Sequence, residues 1–280
     1  MAAYQQGDAY GLSDFDTDVV EPTQPLPRLP RERRGRFRRF LYRFTLTVVS
    51  LLACAALGFG LLLVFTPSAG QAPTLAAQLA REHHISYPGP PAPASFSRPL
   101  IATEDHRFYS EVGGVDPVAL GRVAQGAVSG GTDGGGATIE VQLAKMLYIG
   151  ANSPADHTFE GKLEEFALAV KLGAMYSKPE ILRLYAEVAY YGHGYYGLQA
   201  ASCGYFGSPP ADLTISQGAM LAGVVNAPAL DDPIDHPAQA HARLAHVIGR
   251  MVAVGDLTPA QGQAALNAPL NLTPGHSPDC

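Results

Sequence analysis

Two adjacent carboxylates, Glu104 and Asp105, stand between an apolar approach (Leu100, Ile101, Ala102) and an aromatic pair, Phe108 and Tyr109. Carboxylates flanked by apolar groups lose hydration and become proton acceptors of useful strength, so this pair is a candidate for general-base chemistry. The competing reading makes Thr103 a helix cap with both acids in the first turn, where they would complement the helix dipole. A second group follows a stretch with six glycines between Gly126 and Gly136. Thr138, Gln142 and Lys145 are spaced by four and three residues and share one helical face. Backbone N–H groups at a helix start beside a lysine suit a phosphate-type anion. The alternative is a flexible loop leading into an ordinary amphipathic helix. In the third group, Lys162 and Glu165 also share a face at i and i+3. As an exposed ion pair they would be worth little.

The elements that must carry these groups read as helices separated by Gly and Pro punctuation. Helical spacing covers Thr74–His83, and Tyr87–Pro99 reads as a Pro-rich connector. Apolar residues at Val118, Leu120, Val123, Ala124 and Ala127 predict a helix over Pro117–Val128, with Asp116 as cap and Pro117 in the first turn. Further helices are predicted over Thr138–Tyr148 and Gly161–Met175. Ser177 and Glu180 form a capping-box signature for a helix running to about Tyr190. Leu198–Phe206, Ser216–Val225 (capped from the Asp212–Ser216 segment), Ala238–Val254 and Thr258–Leu266 complete the set. Few period-2 runs occur, so the fold class is mainly α.

Charge is distributed unevenly. Eight arginines fall between Arg28 and Arg43, whereas the chain after residue 66 holds 11 Lys+Arg against 19 Asp+Glu. That acidic balance excludes a nucleic-acid footprint, which needs a basic face. Residues 44–65 carry no charged side chain and are long enough, at about 1.5 Å per residue, to cross a hydrocarbon core of about 30 Å. A cleaved signal peptide is the rival, since Pro67-Ser68-Ala69-Gly70 supplies small residues. The apolar run is longer than a signal core, however, and a tail of some 40 residues precedes it. The arginines before the span predict a cytoplasmic N-terminus, contact with membrane lipid head groups and an extracytoplasmic remainder. Of three cysteines, Cys54 lies in the span, leaving Cys203 and Cys280 either bridged or free. The nine histidines show no metal-type spacing.

Taken in order, the segments resemble the peptidoglycan glycosyltransferase family, the lysozyme-like domain of penicillin-binding proteins and monofunctional transglycosylases. Glu104, Asp105, Phe108 and Gly114-Val115-Asp116 fit the family's first motif. Gly135, Gly136, Thr138, Ile139, Gln142, Leu143, Ala144 and Lys145 fit the second, and Lys162 and Glu165 the third. Tyr176-Ser177-Lys178, Glu180-Ile181-Leu182, Leu184-Tyr185, Tyr191-Gly192-His193-Gly194, Tyr196-Gly197, Tyr205-Phe206-Gly207 and Ala227-Pro228 follow its later pattern. The resemblance covers roughly 85–255.

It implies a lysozyme-like helical glycosyltransferase ectodomain behind one N-terminal transmembrane helix, on the outer face of the bacterial cytoplasmic membrane. The expected divisions are a disordered, basic-ended cytoplasmic tail (1–43), the span (44–65), a juxtamembrane helix and linker (66–84), the glycosyltransferase domain (85–255) and a C-terminal tail (256–280). The implied reaction polymerises lipid II into β-1,4-linked glycan with inversion and loss of a lipid diphosphate. Glu104 would be the base, with Glu165 assisting near the diphosphate. Lys145 and Lys162 would offset its charge, Thr138 and Gln142 would line the donor site, and Asp105 and Phe108 would support it. A divalent cation (Mg or Mn) is expected only with the substrate diphosphate. Partners are lipid II, the growing strand and other cell-wall synthesis proteins. The chain ends about 25 residues after the domain, which predicts a monofunctional enzyme.

The departures from the family pattern are Gly161 for Arg, Met146 for Asn, Glu140 for Thr and Val141 for Gln. They thin the positive charge around the implied diphosphate, with Arg107 and Lys171 as candidates to restore it. An inactive homologue serving as a cell-wall scaffold is therefore one rival. A glycan-cleaving relative is another, disfavoured by the retained Thr138, Gln142 and Lys145. Leu147–Ala151 is a candidate membrane-dipping loop, or else a core segment.

Overall fold

The computed structural model describes residues 31–110, 138–150, 153, 158–273, 277 and 280. The predicted helix over 117–128, the glycine run and the Gly114-Val115-Asp116 motif lie outside these residues. The chain divides into two units, Met1–Cys54 and Ala55–Cys280. The described part of the first is helical. Helix α1 runs Arg31–Phe65, and its apolar residues, including Leu46, Leu51 and Leu52, are exposed. It is long and apolar enough to cross a membrane.

In the second unit a 3₁₀ turn, Ala69–Gln71, leads into α2, Ala72–Glu82. Lys171 donates to Thr66 O (2.8 Å) and Pro67 O (2.9 Å), and Phe59 packs against Phe166 with centroids 5.6 Å apart, so the foot of α1 is fastened to the domain. The remaining helices are α3 (Ala94–Glu104), α4 (Ile139–Ala144), α5 (Phe159–Met175), α6 (Lys178–Val188), α7 (Leu198–Phe206), α8 (Ile215–Val224), α9 (Pro237–Ala253) and α10 (Pro259–Asn267). No strand occurs among the described residues, only an isolated bridge between Tyr190 and Tyr196.

Helix α8 is the axis of one group. Every residue from Ser216 to Val224 is buried, as an all-round apolar helix must be. Helices α3 and α9 pack on it, and α10 closes over α9. The close approach of α3 and α8 has a local cause. Pro99 lies inside α3 and lacks the N–H that would pair with Ser95 O. Gly218 fits over that carbonyl, where a Cβ would stand 1.9 Å from Ser95 O. The second group is α2, α4, α5 and α6, with α4 against both α5 and α6. Helix α7 joins α6 to α8.

Three sequence expectations change here. The Pro-rich connector is shorter than predicted, because α3 begins at Ala94. Glu104 is accordingly the last residue of a helix and Asp105 its C-cap, so the reading of both acids as a first turn capped by Thr103 is wrong. The predicted Thr138–Tyr148 helix is broken after Ala144 by a π-helical turn, Lys145–Ile149. Cys203 and Cys280, left open by the sequence, are bridged with Cα atoms 5.5 Å apart.

Candidate active site

The site is built where the two helix groups meet. Glu104, on the last turn of α3, directs one carboxylate oxygen to each group. Oε1 accepts from Arg243 Nη2 of α9 at 2.9 Å. Oε2 accepts from Gln142 Nε2 of α4 at 3.0 Å. The carboxylate side chain is 10% exposed and the arginine 18%. Both partners are themselves held. Arg243 Nε donates to Gly223 O (3.2 Å), and the missing side chain of Gly223 makes room for the arginine stem, whose Cγ would lie 2.9 Å from a Cβ there. Gln142 Oε1 accepts from the Tyr185 hydroxyl of α6 at 2.8 Å. This contact fixes the amide with its NH₂ towards Glu104. Burial, and secondarily the Glu104 charge, push the Tyr185 phenol up, so it remains a donor at any ordinary pH.

Asp105 and Thr138 serve the start of α4. Asp105 Oδ2 accepts from Ile139 N at 3.3 Å, and Thr138 Oγ1 accepts from Val141 N at 3.3 Å. Two of the N–H groups that the sequence offered to a phosphate are thus taken up by capping, and the helix they open is only six residues long. Thr138 is a cap rather than a member of the Gln142 face. Lys145 is half-buried at the entry to the π-helical turn.

Glu165 is buried on α5 and binds Lys162 Nζ through both oxygens, at 3.0 and 3.1 Å. The lysine itself is 54% exposed. This pair is part of the second helix group and makes no described hydrogen bond to Glu104. Gly161, in place of the arginine, is buried in the first turn of α5, its N–H held by Thr158 Oγ1 at 3.0 Å.

The structure relocates the charges the sequence could not place. Glu140 points into the core, fully buried, and its Oε1 meets Lys178 Nζ at 2.7 Å. Lys178 also lies 4.1 Å above the ring of buried Phe108, a cation–π contact. The acid gained at 140 is therefore neutralised within the core. Lys171 does not restore charge to the site, because it holds the carbonyls of Thr66 and Pro67; burial lowers its pKa. Arg107 has His106 beside it, Nη1 to Nε2 at 3.4 Å. The cation that meets Glu104 is Arg243, which sequence reasoning missed. It lies 139 residues away on an ordinary amphipathic helix and fits none of the three quoted motifs. Leu147 is buried, whereas Phe159 (73%) and Leu163 on α5 are exposed. Leu147 and Tyr148 of the 147–151 segment thus pack on the core.

No local spacing announced a metal site, but the fold brings His193, Asp232 and Asp235 together, with one ligand atom from each within 4.8 Å of the others. This group contains neither Glu104 nor Glu165.

A helical domain that holds one carboxylate between a guanidinium and an amide is a candidate for carboxylate-driven sugar chemistry. The chain belongs to the Transglycosylase family, which it matches over residues 73–252. It is 38% identical over 181 residues to penicillin-binding protein 1F of Bacillus subtilis, covering 64% of this chain and 25% of that protein. To penicillin-binding protein 1A of Mycobacterium tuberculosis it is 33% identical over 260 residues, 86% of this chain and 31% of the relative. A protein from Cupriavidus necator, named as a transglycosylase, is 33% identical over 227 residues, 80% of this chain and 96% of its own length. The chain thus spans 20–31% of the length of the penicillin-binding proteins it matches.

Proposed function

We propose that this chain is a membrane-anchored glycosyltransferase that polymerises lipid II into β-1,4-linked glycan, with the domain on the extracytoplasmic side of α1. The observation that carries the proposal is the fixing of Glu104 by Arg243 and by the Gln142–Tyr185 relay. A general base must be held in register with the proton it takes. In this reading Glu104 accepts the proton of the acceptor's 4-hydroxyl as that oxygen forms its bond to C1 of the donor. The C1–O bond to the lipid diphosphate breaks from the opposite face, and the bonding electrons leave with the diphosphate. Arg243 orients the carboxylate before the step. Lys145, with Lys162 turning from Glu165, offsets the charge that develops on the leaving group, a contribution that is large in such sites. The arginine tract at the N-terminal end of α1 sets the cytoplasmic end by its positive charge. The reading as a monofunctional enzyme is supported by the Cupriavidus relative, which this chain covers almost end to end.

Among the described residues, a divalent ion at the diphosphate finds no ready donor set at the two candidate catalytic carboxylates. Both Glu104 oxygens are occupied by Arg243 and Gln142, and both Glu165 oxygens by Lys162.

One observation favours a second reading, a weakly active or inactive scaffold in a cell-wall complex. Gly161 removes a guanidinium from the phosphate side, while the arginine that is present binds the base. Labelled lipid II supplied to the full chain in detergent distinguishes the two. Polymer from the parent chain, lost in Glu104→Gln, supports the enzyme. No polymer from the parent supports the scaffold, and an unchanged rate in Glu104→Gln removes Glu104 from the role of base.

A further inference from the structure

The His193–Asp232–Asp235 cluster is a built site, and we infer that it binds one divalent transition-metal ion of the zinc type, joining the Gly192–Gly197 loop to the turn that opens α9. Asp232 carries the argument. Its side chain is only 3% exposed, and the backbone fixes its orientation. Oδ1 accepts from Ile234 N at 2.8 Å and Asp235 N at 3.2 Å, while its own carbonyl accepts from His236 N at 2.8 Å. Metal-ligating carboxylates are typically held in this way from behind. The other oxygen, Oδ2, lies on the cluster side, where the Tyr205 hydroxyl is a hydrogen-bonding neighbour of Asp232 and also contacts Tyr191 O at 2.9 Å. Oδ2 also faces His193 Nδ1 at 3.5 Å, and Asp235 Oδ2 faces the same nitrogen at 3.7 Å.

The separations match a metal's demands. Zinc bonds of about 2.0–2.2 Å to nitrogen and oxygen in a tetrahedron set neighbouring ligand atoms about 3.4 Å apart. Two of the three separations are already within a few tenths of an ångström of that value, and Asp235, on the exposed rim, can swing to close the third. A donor set of one imidazole and two carboxylates suits zinc or manganese rather than the all-oxygen shell of calcium or magnesium. The exposed side of the cluster leaves the fourth position to water. A divalent ion also removes the repulsion between two carboxylates brought within reach of one histidine. The ion joins residues 39 and 42 positions apart in sequence, on the segment that feeds α9 and hence Arg243, so its role is structural.

The test uses the full chain in detergent, stripped with EDTA and titrated with Zn²⁺ by calorimetry and by thermal unfolding, with Mg²⁺ as the contrast. The expected result is one zinc per chain with a higher melting temperature, and no such rise with Mg²⁺. Asp235→Asn and His193→Asn each change a partly exposed ligand, and asparagine tolerates the positive φ of residue 193. Both variants should melt as the parent does in EDTA yet bind zinc about tenfold or more weakly. Absence of saturable binding to the parent overturns the inference, as does equal affinity in either variant. So does a parent whose stability ignores zinc, because a histidine–carboxylate cluster alone would then account for the geometry.

Discussion

Replacing Arg243 with methionine removes the one cation seen on Glu104 while keeping most of the side-chain bulk. Breaking a fully buried ion pair from one side costs about 3–5 kcal/mol. The residual exposure here, 10% for the acid and 18% for the arginine, places this pair at the lower end, about 3 kcal/mol. For a domain of this size that corresponds to a fall of about 6–12 °C in melting temperature. Glu104→Gln alone is milder, about 1–2 kcal/mol, because Arg243 keeps an oxygen acceptor and its bond to Gly223 O. If the two side chains stabilise each other, the double variant will be more stable than the sum of the singles predicts, by about 1.5 kcal/mol. Urea unfolding of the four proteins in the same detergent measures this coupling. Polymerisation of lipid II read in parallel should show Arg243→Met losing most of its effect in kcat, with KM nearly kept, and Arg243→Lys recovering part. Stability changes that add to within about 0.5 kcal/mol, or full activity in Arg243→Met, would refute the assignment of Arg243 as the residue that positions Glu104.

The buried Glu140–Lys178 pair predicts an asymmetry. Lys178→Met strands a fully buried acid and should cost about 3–5 kcal/mol, whereas Glu140→Gln leaves a lysine that can reach water and should cost clearly less; chemical denaturation of both variants checks the order. Gly218→Ala puts a methyl group against the Ser95 carbonyl, so α3 and α8 must part. A loss of about 1–3 kcal/mol is expected, together with reduced glycosyl transfer, since Glu104 rides on α3. Glu187 has its pKa raised above 4.5 by burial, against the opposing pull of Arg183 and of hydrogen bonds from Arg183 and Gly89 N. The native state therefore favours the protonated acid. The stabilising contribution of Glu187 is complete below pH 4.5 and is lost as pH rises through the raised native value. Glu187→Gln should flatten the stability–pH curve across that window, and an unchanged curve would count against the shift.

What was legible in the sequence is what is determined locally. The capping box read at Ser177–Glu180 marks a true helix start, because the cap and its partner are three residues apart, and the helices predicted after Asp212–Ser216 and from Thr258 are also present. Helix α7 begins and ends where the glycines at 197 and 207, both with positive φ, let the chain turn. The start of α3 was hidden because Pro93 and Pro99 read as breakers. Only the packing of Gly218 on Ser95 shows why a proline is accommodated inside that helix. The break after Ala144 was equally hidden, since a π-helical turn leaves no mark in hydrophobic spacing. At the site, Glu104 and Gln142 could be nominated from their surroundings, but their shared network could not. Arg243 and Tyr185 reach them from distant helices, and the direction in which Glu140 points depends on Lys178 being across the core.

The Cys203–Cys280 bridge closes a covalent ring that encloses α8, α9 and α10, and with them Arg243. A protease outside the membrane that cuts the exposed turn at Leu230 would open this ring without dividing the molecule. The severed segment carrying Arg243 would stay tethered at its far end and could return to Glu104. Reductant and protease together should then do what neither does alone, releasing a fragment and disconnecting the arginine from its carboxylate. Thus the bridge makes the assembled site tolerant of a single nick, in addition to whatever it contributes to folding.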